Sequence, residues 1–201
     1  MTVSSLHRSD TRNVDERMSD EADALDRAVH DAIAHTPTPT LDVPLSWLAN
    51  ASNYSLLSIV MAGGLAATRG ERGRRTAIRG LLSVGVTSFV ANLIVKPVFA
   101  RHRPDRSTEV ATREARMPKS SSFPSGHTAS AFAFAAAVTP EFPHLALPLY
   151  SVASAVGYSR VHTGVHYPSD VMGGAVLGAA VGTVVRAATL SFDTRALRRR
   201  A

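Results

Sequence analysis

Residues 159–170 read SRVHTGVHYPSD and lie between two apolar segments. Ionisable groups at the edge of an apolar segment are energetically costly unless a function retains them. Asp170 stands four positions after His166, so its carboxylate can reach the imidazole and fix the tautomer if this piece is helical. A histidine held in this way can attack phosphorus through its other ring nitrogen.

A metal site is the alternative interpretation of the same residues. His162, His166 and Asp170 are spaced at i, i+4 and i+8, which would align three ligands on one continuous helix face. Gly164 and Pro168 interrupt that run, and Pro168 is expected to begin a new helix. The spacing therefore favours the metal site less than the nucleophile.

A second polar stretch, KPVFARHRP, occupies residues 96–104. Lys96 and Arg103 are almost two helical turns apart, so both are expected on one face near a helix end, with Pro104 ending the helix. A lysine and an arginine together suit a tetrahedral dianion, which needs charge neutralisation and directional donors. Two cations that merely mark the end of a membrane helix would give the same pattern.

A third stretch, PSGH at residues 124–127, precedes an alanine-rich segment. Ser125 is a favourable helix N-cap, and Gly126 allows close approach of the backbone to a ligand. Free N–H groups at a helix N-terminus bind anions. His127, in the first turn, can protonate a departing oxygen. An ordinary helix start with an incidental histidine is the alternative.

Taken together, the three stretches resemble the signature motifs K-x6-R-P, P-S-G-H and S-R-x5-H-x3-D of the type 2 phosphatidic acid phosphatase superfamily. The motifs occur in order, and the resemblance covers residues 81–189. It implies that His166 is the nucleophile forming a phosphohistidine, that Asp170 orients it and that His127 is the general acid. It implies no metal and no cofactor. The residues that would bind the substrate phosphate are Lys96, Arg103, Ser125, Gly126 and Arg160. His102 and His162 match no functional position.

Five apolar segments, separated by short charged loops, indicate a membrane protein. They cover residues 43–68, 80–95, 120–140, 145–157 and 171–189. We expect an all-α integral membrane bundle of about five spanning helices plus an amphipathic N-terminal helix over residues 14–35. The alternative is a soluble helical protein. Gly174, Gly178 and Gly182 predict a close-packing helix face, within or between chains.

The expected organisation has three parts: a polar N-terminal tail with the amphipathic helix (1–46), a membrane-embedded phosphatase domain (47–192) and a basic tail (193–201). Residues 69–75 and the tail are arginine-rich, so the positive-inside rule places them in the cytoplasm. The three motifs then face the extracytoplasmic side of the plasma membrane.

The composition restricts the partners. The chain has 201 residues, no cysteine and a formal net charge of +6. Residues 1–46 nevertheless carry nine acidic residues against four arginines. Since no basic stripe is interleaved with aromatic residues, the sequence disfavours nucleic-acid binding. The expected partners are a lipid phosphate substrate and the bilayer, and the oligomeric state is not predicted.

The function expected from the sequence is metal-independent removal of a terminal phosphate from a membrane lipid phosphate or diphosphate, with polyprenyl substrates favoured. One alternative is a glycerophospholipid phosphatase acting on phosphatidic acid or phosphatidylglycerol phosphate. Another is a lipid phosphotransferase. The same motifs also serve soluble vanadium-dependent haloperoxidases, against which the apolar segments argue. A non-catalytic membrane scaffold is the alternative from a different class.

Overall fold

The computed structural model describes residues 3–105, 113, 117 and 120–198. The helices are α1 (Val3–Ala34), α2 (Pro39–Ala51), α3 (Leu56–Thr68), α4 (Gly70–Phe89), α5 (Lys96–Phe99), α6 (Gly126–Val138), α7 (Ala146–His162) and α8 (Pro168–Arg198). A π-helical turn, Val90–Val95, joins α4 to α5, and short 3-10 turns occupy Asn53–Ser55 and Pro143–Leu145. The described residues contain no strand, which confirms the all-α prediction.

Among the described residues, two helical stretches are long and apolar enough to cross a membrane: Gly70–Phe99 and Pro168–Phe192. The first has 30 residues and therefore a length of about 45 Å, more than the ~30 Å hydrocarbon core requires. Large apolar side chains on both stretches are exposed, for example Ile78, Leu93 and Val176. Such outward-facing apolar surface is typical of helices that contact lipid. The predicted number of five spans stays a prediction.

The apolar segment 43–68 is not one continuous helix, as its length had suggested. It is divided into α2 and α3 by the turn Asn53–Ser55, and Ser55 has a left-handed backbone with φ 58°. Ser52 Oγ donates to the Ala49 carbonyl at 2.8 Å, a local bond that competes with helix continuation. Neither α2 nor α3, each 13 residues long, reaches the ~20 residues that a spanning helix needs.

Helix α6 forms the centre of the bundle and packs closely against α8. Ala129, Ala133 and Ala137 of α6 are completely buried. A Cβ atom added at Gly178 would lie 2.1 Å from the Ala129 carbonyl oxygen, and Gly182 has the same relation to Ala133 at 2.4 Å. The predicted small-residue face is therefore confirmed, and within this chain it brings two backbones into direct contact.

We expect Gly178→Ala to destabilise the bundle, because the added methyl group can be accommodated only if α6 and α8 move apart. Overpacking of this kind costs about 1–3 kcal/mol. The measurement is the thermal unfolding midpoint in detergent, with Gly85→Ala on α4 as the matched control, since nothing lies within 4 Å of a Cβ at Gly85. Equal midpoints for both variants would contradict the packing argument.

Helix α1 contains the amphipathic helix predicted over residues 14–35 but begins earlier, at Val3. Its apolar residues Met18 and Leu25 are 62% and 66% exposed, whereas Asp26 and His30 are buried. The helix thus packs on the bundle through its polar face, whereas an amphipathic helix of a soluble protein packs through its apolar face. Helix α2 then crosses residue 46, where the domain boundary is predicted.

The two ends of the bundle carry different sets of charged side chains. At one end, Glu141 accepts hydrogen bonds from Arg72 of α4 (2.8 Å to its carbonyl oxygen) and from Arg186 of α8 (3.2 Å to Oε1). At the opposite end, the π-helical turn after α4 leads to Lys96 at the start of α5, and α8 begins at Pro168. The three polar motifs all lie at this second end.

Candidate active site

The three motifs meet where α6 and α8 begin and α7 ends. The Ser125 amide donates to the Asp170 carbonyl at 2.9 Å, which joins the N-termini of α6 and α8. The amides of Val165 and His166 donate to the Arg160 carbonyl at 3.1 and 3.2 Å, so the loop after α7 folds back over the helix end. These backbone bonds fix the motif residues relative to one another.

His166 lies in the loop between α7 and α8 and is 1% exposed. Pro168 begins α8, as predicted, and Asp170 lies in the first turn of that helix. His166 Nδ1 lies 3.4 Å from Asp170 Oδ2, which also accepts hydrogen bonds from the Tyr167 amide at 2.8 Å and from the Ser122 hydroxyl. The predicted contact of imidazole and carboxylate is therefore present, although a loop and a helix start supply it rather than one continuous helix.

The tautomer of His166 follows from its second ring contact. Arg103 Nη1 lies 3.2 Å from His166 Nε2, and a guanidinium can only donate, so Nε2 accepts and the proton is assigned to Nδ1, beside Asp170. Burial lowers the pKa of His166 to about 4, an effect that the hydrogen bond to Asp170 offsets only in part. The ring is thus neutral at pH 7, with its Nε2 lone pair directed toward Arg103.

Lys96 and Arg103 meet near Ser120, but not on one helix face. Lys96 begins α5, while Ala100 adopts a left-handed conformation with φ 40° and ends the helix, so Arg103 lies beyond it. The prediction that Pro104 ends the helix is therefore wrong. Lys96 Nζ donates to Ser120 Oγ at 3.1 Å, and Arg103 Nε donates to the Ser120 carbonyl at 2.9 Å.

Arg160 is the third cation of the motifs and is 1% exposed. Its Nη1 donates to the Ala49 carbonyl at 3.2 Å. Its Nε and Nη2 are buried and have no hydrogen-bond partner among the described residues. Buried guanidinium donors left unpaired are costly, which favours an anion as their partner in the working enzyme.

Gly126 and His127 form the first turn of α6, as predicted. His127 Nε2 lies 3.0 Å from Asn53 Oδ1, a contact supplied by the turn that separates α2 from α3. Ser125 occupies the N-cap position, but its side chain makes no capping bond. Its Oγ instead accepts from Thr128 at 2.9 Å, so a role of this hydroxyl in phosphate binding stays a prediction.

A cavity of about 270 Å³ connects these groups. Lys96, Arg103, Gly126, His127 and His166 line it, so a molecule inside would meet both histidines and two of the cations. The rest of its lining is polar as well: Ser52, Ser55, Ser88, Asn92, Ser120 and Ser130. A polar cavity inside an apolar bundle is characteristic of a substrate site.

The three residues that the alternative interpretation predicts as metal ligands do not form one site. His166 contacts Asp170, but His162 contacts other residues. His162 is completely buried, and its Nε2 lies 2.9 Å from Thr38 Oγ1 and 3.1 Å from Asp42 Oδ1. Within the described part of the chain, no three His, Asp or Glu side chains are placed to hold a metal ion. His162 therefore belongs to a contact between α7 and the start of α2, and is neither a surface residue nor a lining residue.

Arg101 has a central position in this region but is not among the site residues that the motifs predict. Its Nη1 donates to Asp170 Oδ1 at 3.0 Å, and its Nη2 donates to Asp26 Oδ2 of α1 at 2.8 Å. Asn53 and Ser122 match no functional position of the motifs either. Asn53 contacts His127, and Ser122 donates to Asp170, the carboxylate beside His166. Only the position of Arg101 inside the first motif could have drawn attention to it.

Comparisons with known proteins show the family to which the chain belongs. The sequence model of the PAP2 superfamily matches residues 76–192, over half of the chain, and the protein belongs to that superfamily. The fold is accordingly that of an integral membrane helical bundle, as expected.

Individual relatives extend the comparison. The chain is 39% identical over 110 residues to a decaprenylphosphoryl-5-phosphoribose phosphatase of Mycobacterium tuberculosis; the match covers 53% of this chain and 60% of that protein. It resembles the transmembrane PAP2-type phosphatidylglycerolphosphate phosphatase of Bacillus subtilis with a TM-score of 0.64 and 25% identity over 87% of each chain. For LpxE of Aquifex aeolicus the TM-score is 0.63, with 26% identity over 80% of this chain and 94% of that one.

Proposed function

We propose that this protein is a lipid phosphatase that removes a terminal phosphate from a polyprenyl-linked substrate through a phosphohistidine on His166. One observation carries the proposal: His166 Nε2 directs its lone pair toward Arg103, in a cavity that Lys96 and His127 also line. A buried neutral imidazole facing cations suits attack on a bound phosphate dianion.

The proposed reaction has two steps. His166 Nε2 attacks phosphorus while the bond from phosphorus to the leaving oxygen breaks and His127 donates a proton to that oxygen. Water then attacks the phosphohistidine, His127 accepts its proton, and the P–N bond breaks to release inorganic phosphate. Lys96, Arg103 and Arg160 neutralise the phosphoryl oxygens in both steps, and Asp170 stabilises the charge that His166 acquires.

The lining of the cavity supports a hydroxylated leaving group. The general acid protonates the leaving oxygen, so the leaving group lies on the side of His127. The lining of the cavity also includes Ser52, Ser55, Ser88 and Ser130, whose hydroxyl groups can form hydrogen bonds with a sugar. A polyprenyl-phosphosugar phosphate fits these groups, and the 39% identical relative carries such a substrate in its name.

A panel of substrates tests this function: a polyprenyl-phosphosugar phosphate, a polyprenyl diphosphate, phosphatidic acid and phosphatidylglycerol phosphate. We expect kcat/KM for the phosphosugar lipid to exceed that for either glycerophospholipid by about 10-fold or more. We expect no cleavage of a phosphodiester, because it lacks the second negative charge that the cations bind. A tenfold preference for phosphatidic acid would favour the glycerophospholipid alternative, and inactivity on every substrate would favour the scaffold.

Controls separate the remaining alternatives. Ser88→Ala should reduce the preference for the phosphosugar, whereas Ser83→Ala should not, since Ser83 bonds the Arg79 carbonyl at 2.8 Å and does not line the cavity. Chelators should leave activity unchanged and vanadate should inhibit. Restoration of lost activity by zinc would contradict the metal-independent mechanism. Transfer of phosphate to an added alcohol in place of water would identify a transferase.

The proposed orientation places the active site outside the plasma membrane and the arginine-rich end of α4 in the cytoplasm. Because the chain lacks cysteine, single cysteines test this directly. An impermeant thiol reagent on intact cells should label His102→Cys, at an exposed position of the active-site end, and should not label Arg74→Cys. The reverse pattern would place the active site on the cytoplasmic leaflet.

A further inference from the structure

The N-terminal helix α1 lies outside the residues that match the superfamily, yet it contacts the active site through one chain of charged groups. Asp170 Oδ1, the oxygen that does not face His166, accepts from Arg101 Nη1 at 3.0 Å. Arg101 Nη2 in turn donates to Asp26 Oδ2 at 2.8 Å. Asp26 and Asp170 are both buried, at 6% and 0% exposure, so solvent screens this chain only weakly.

Asp26 also holds the start of α8 directly. Its Oδ1 accepts from the Ser169 amide at 2.9 Å, and its Oδ2 accepts from the Ser169 hydroxyl. The same Ser169 hydroxyl accepts from Arg101 Nη1 at 2.6 Å. Arg101 further lies over the Tyr167 ring, 4.6 Å from its centroid. The ring of His30 in α1 also contacts Tyr167, edge to face, with the two ring centroids 5.6 Å apart.

We infer that Asp26 and Arg101 are positioning residues for the nucleophile, which makes α1 a part of the catalytic apparatus. Arg101 fixes the rotation of the Asp170 carboxylate, so that Oδ2 stays directed at His166 Nδ1. Asp26 neutralises Arg101 together with Asp23, whose Oδ1 accepts from the same Nη2 at 2.9 Å. Of these two carboxylates Asp26 is the buried one, and it acts on His166 through Arg101 and Asp170. This inference rests on the proposed role of His166.

Removal of either residue should slow the formation of the phosphohistidine without weakening substrate binding. For Asp26→Asn and Arg101→Ala we expect kcat to fall roughly 10-fold or more, the size typical of a partner that orients a catalytic group from outside direct contact. KM should change less than about twofold, because neither residue contacts the phosphate. Arg101→Lys should recover part of the rate, since it keeps the charge but not the two-pronged geometry.

The experiment is rapid-quench measurement of phosphoenzyme formation in the full-length protein, together with kcat, KM and the thermal midpoint of each variant. Asp20→Asn is the matched control, since Asp20 is an exposed aspartate on the same helix. If Asp26→Asn fails to fold, Ser169→Ala tests the same contact from α8. The double variant Asp26→Asn/Arg101→Ala should lose less than the two single losses combined, because the contact of Asp26 with Arg101 is shared while its contact with Ser169 is separate.

The outcomes distinguish three cases. A fall in kcat with constant KM and an unchanged midpoint supports the inference. A rise in KM for Arg101→Ala with constant kcat overturns it, because Arg101 would then bind substrate. A lower midpoint with normal kcat also overturns it, because the contact would then only stabilise the fold. Absence of a phosphohistidine in the unsubstituted protein would instead contradict the proposed function, so the two failures are distinguishable.

Discussion

His166→Ala is expected to abolish turnover, with kcat lower by on the order of 10⁴-fold or more, the size seen when a covalent nucleophile is removed. In the proposed mechanism Arg103 and Lys96 bind the phosphate and His127 transfers the proton, so none of the three takes over the attack on phosphorus. Rapid alkaline quench of the unsubstituted protein should trap phosphate on histidine, and this phosphate should be lost on later treatment with acid. The variant should trap none.

His102→Ala is the matched control for that experiment. His102 lies inside the first motif, only a residue from Arg103, but it is exposed and matches no functional position. Its variant should form the phosphoenzyme at the normal rate. A His166→Ala protein that folds, as judged by its thermal midpoint, and keeps more than a tenth of the activity would rule out the nucleophile assignment.

His127→Ala is expected to have the second largest effect, and one that depends on the substrate. General acid catalysis contributes roughly 10²–10⁴-fold when the leaving group is an alkoxide, and little when the leaving group is already stable as an anion. The phosphosugar lipid should therefore lose two or more orders of magnitude in kcat/KM, whereas an aryl phosphate should lose less than about tenfold. The measurement is the rate of phosphoenzyme formation for both substrates.

Asn53→Ala tests the general-acid assignment of His127 with a smaller expected loss of rate. Asn53 Oδ1 contacts His127 Nε2 at 3.0 Å and can orient the ring without touching phosphorus. We expect it to reduce the rate for the alkyl leaving group by less than His127→Ala does, with the same dependence on leaving group. An equal loss for alkyl and aryl substrates in the His127 variant would argue against proton donation by this residue.

The sequence predicted those features of the site that are encoded locally. Ser125, Gly126 and His127 at a helix start, and Pro168 as the beginning of a new helix, depend on the chain within a few residues. The glycine spacing from Gly174 to Gly182 likewise predicted close packing. Features that depend on distant residues were beyond such reasoning. The contact from Asp26 to Arg101 joins positions 75 apart, and no motif relates them.

Two predictions are wrong because a turn interrupts a segment that the sequence pattern predicts to be one continuous helix. Lys96 and Arg103 were expected on one helix face, but the left-handed residue Ala100 separates them. An alanine in that conformation is unusual, so nothing in the sequence indicates it. In the same way, the apolar run 43–68 was long enough to span, but the turn at Asn53 divides it. That turn supplies the partner of His127.

The contact between α6 and α8 has a consequence for how this chain tolerates substitution. The helices touch through backbone at Gly178, and their N-termini are joined where the Ser125 amide meets the Asp170 carbonyl. A side chain at this seam would displace His127 relative to His166, although it lies turns away from either. Lipid-facing positions such as Val176 carry no such constraint. In a saturation mutagenesis of α8, activity should therefore vary with a period of about four residues. The positions that tolerate no substitution should lie on the face of α8 that packs against α6, away from the lipid.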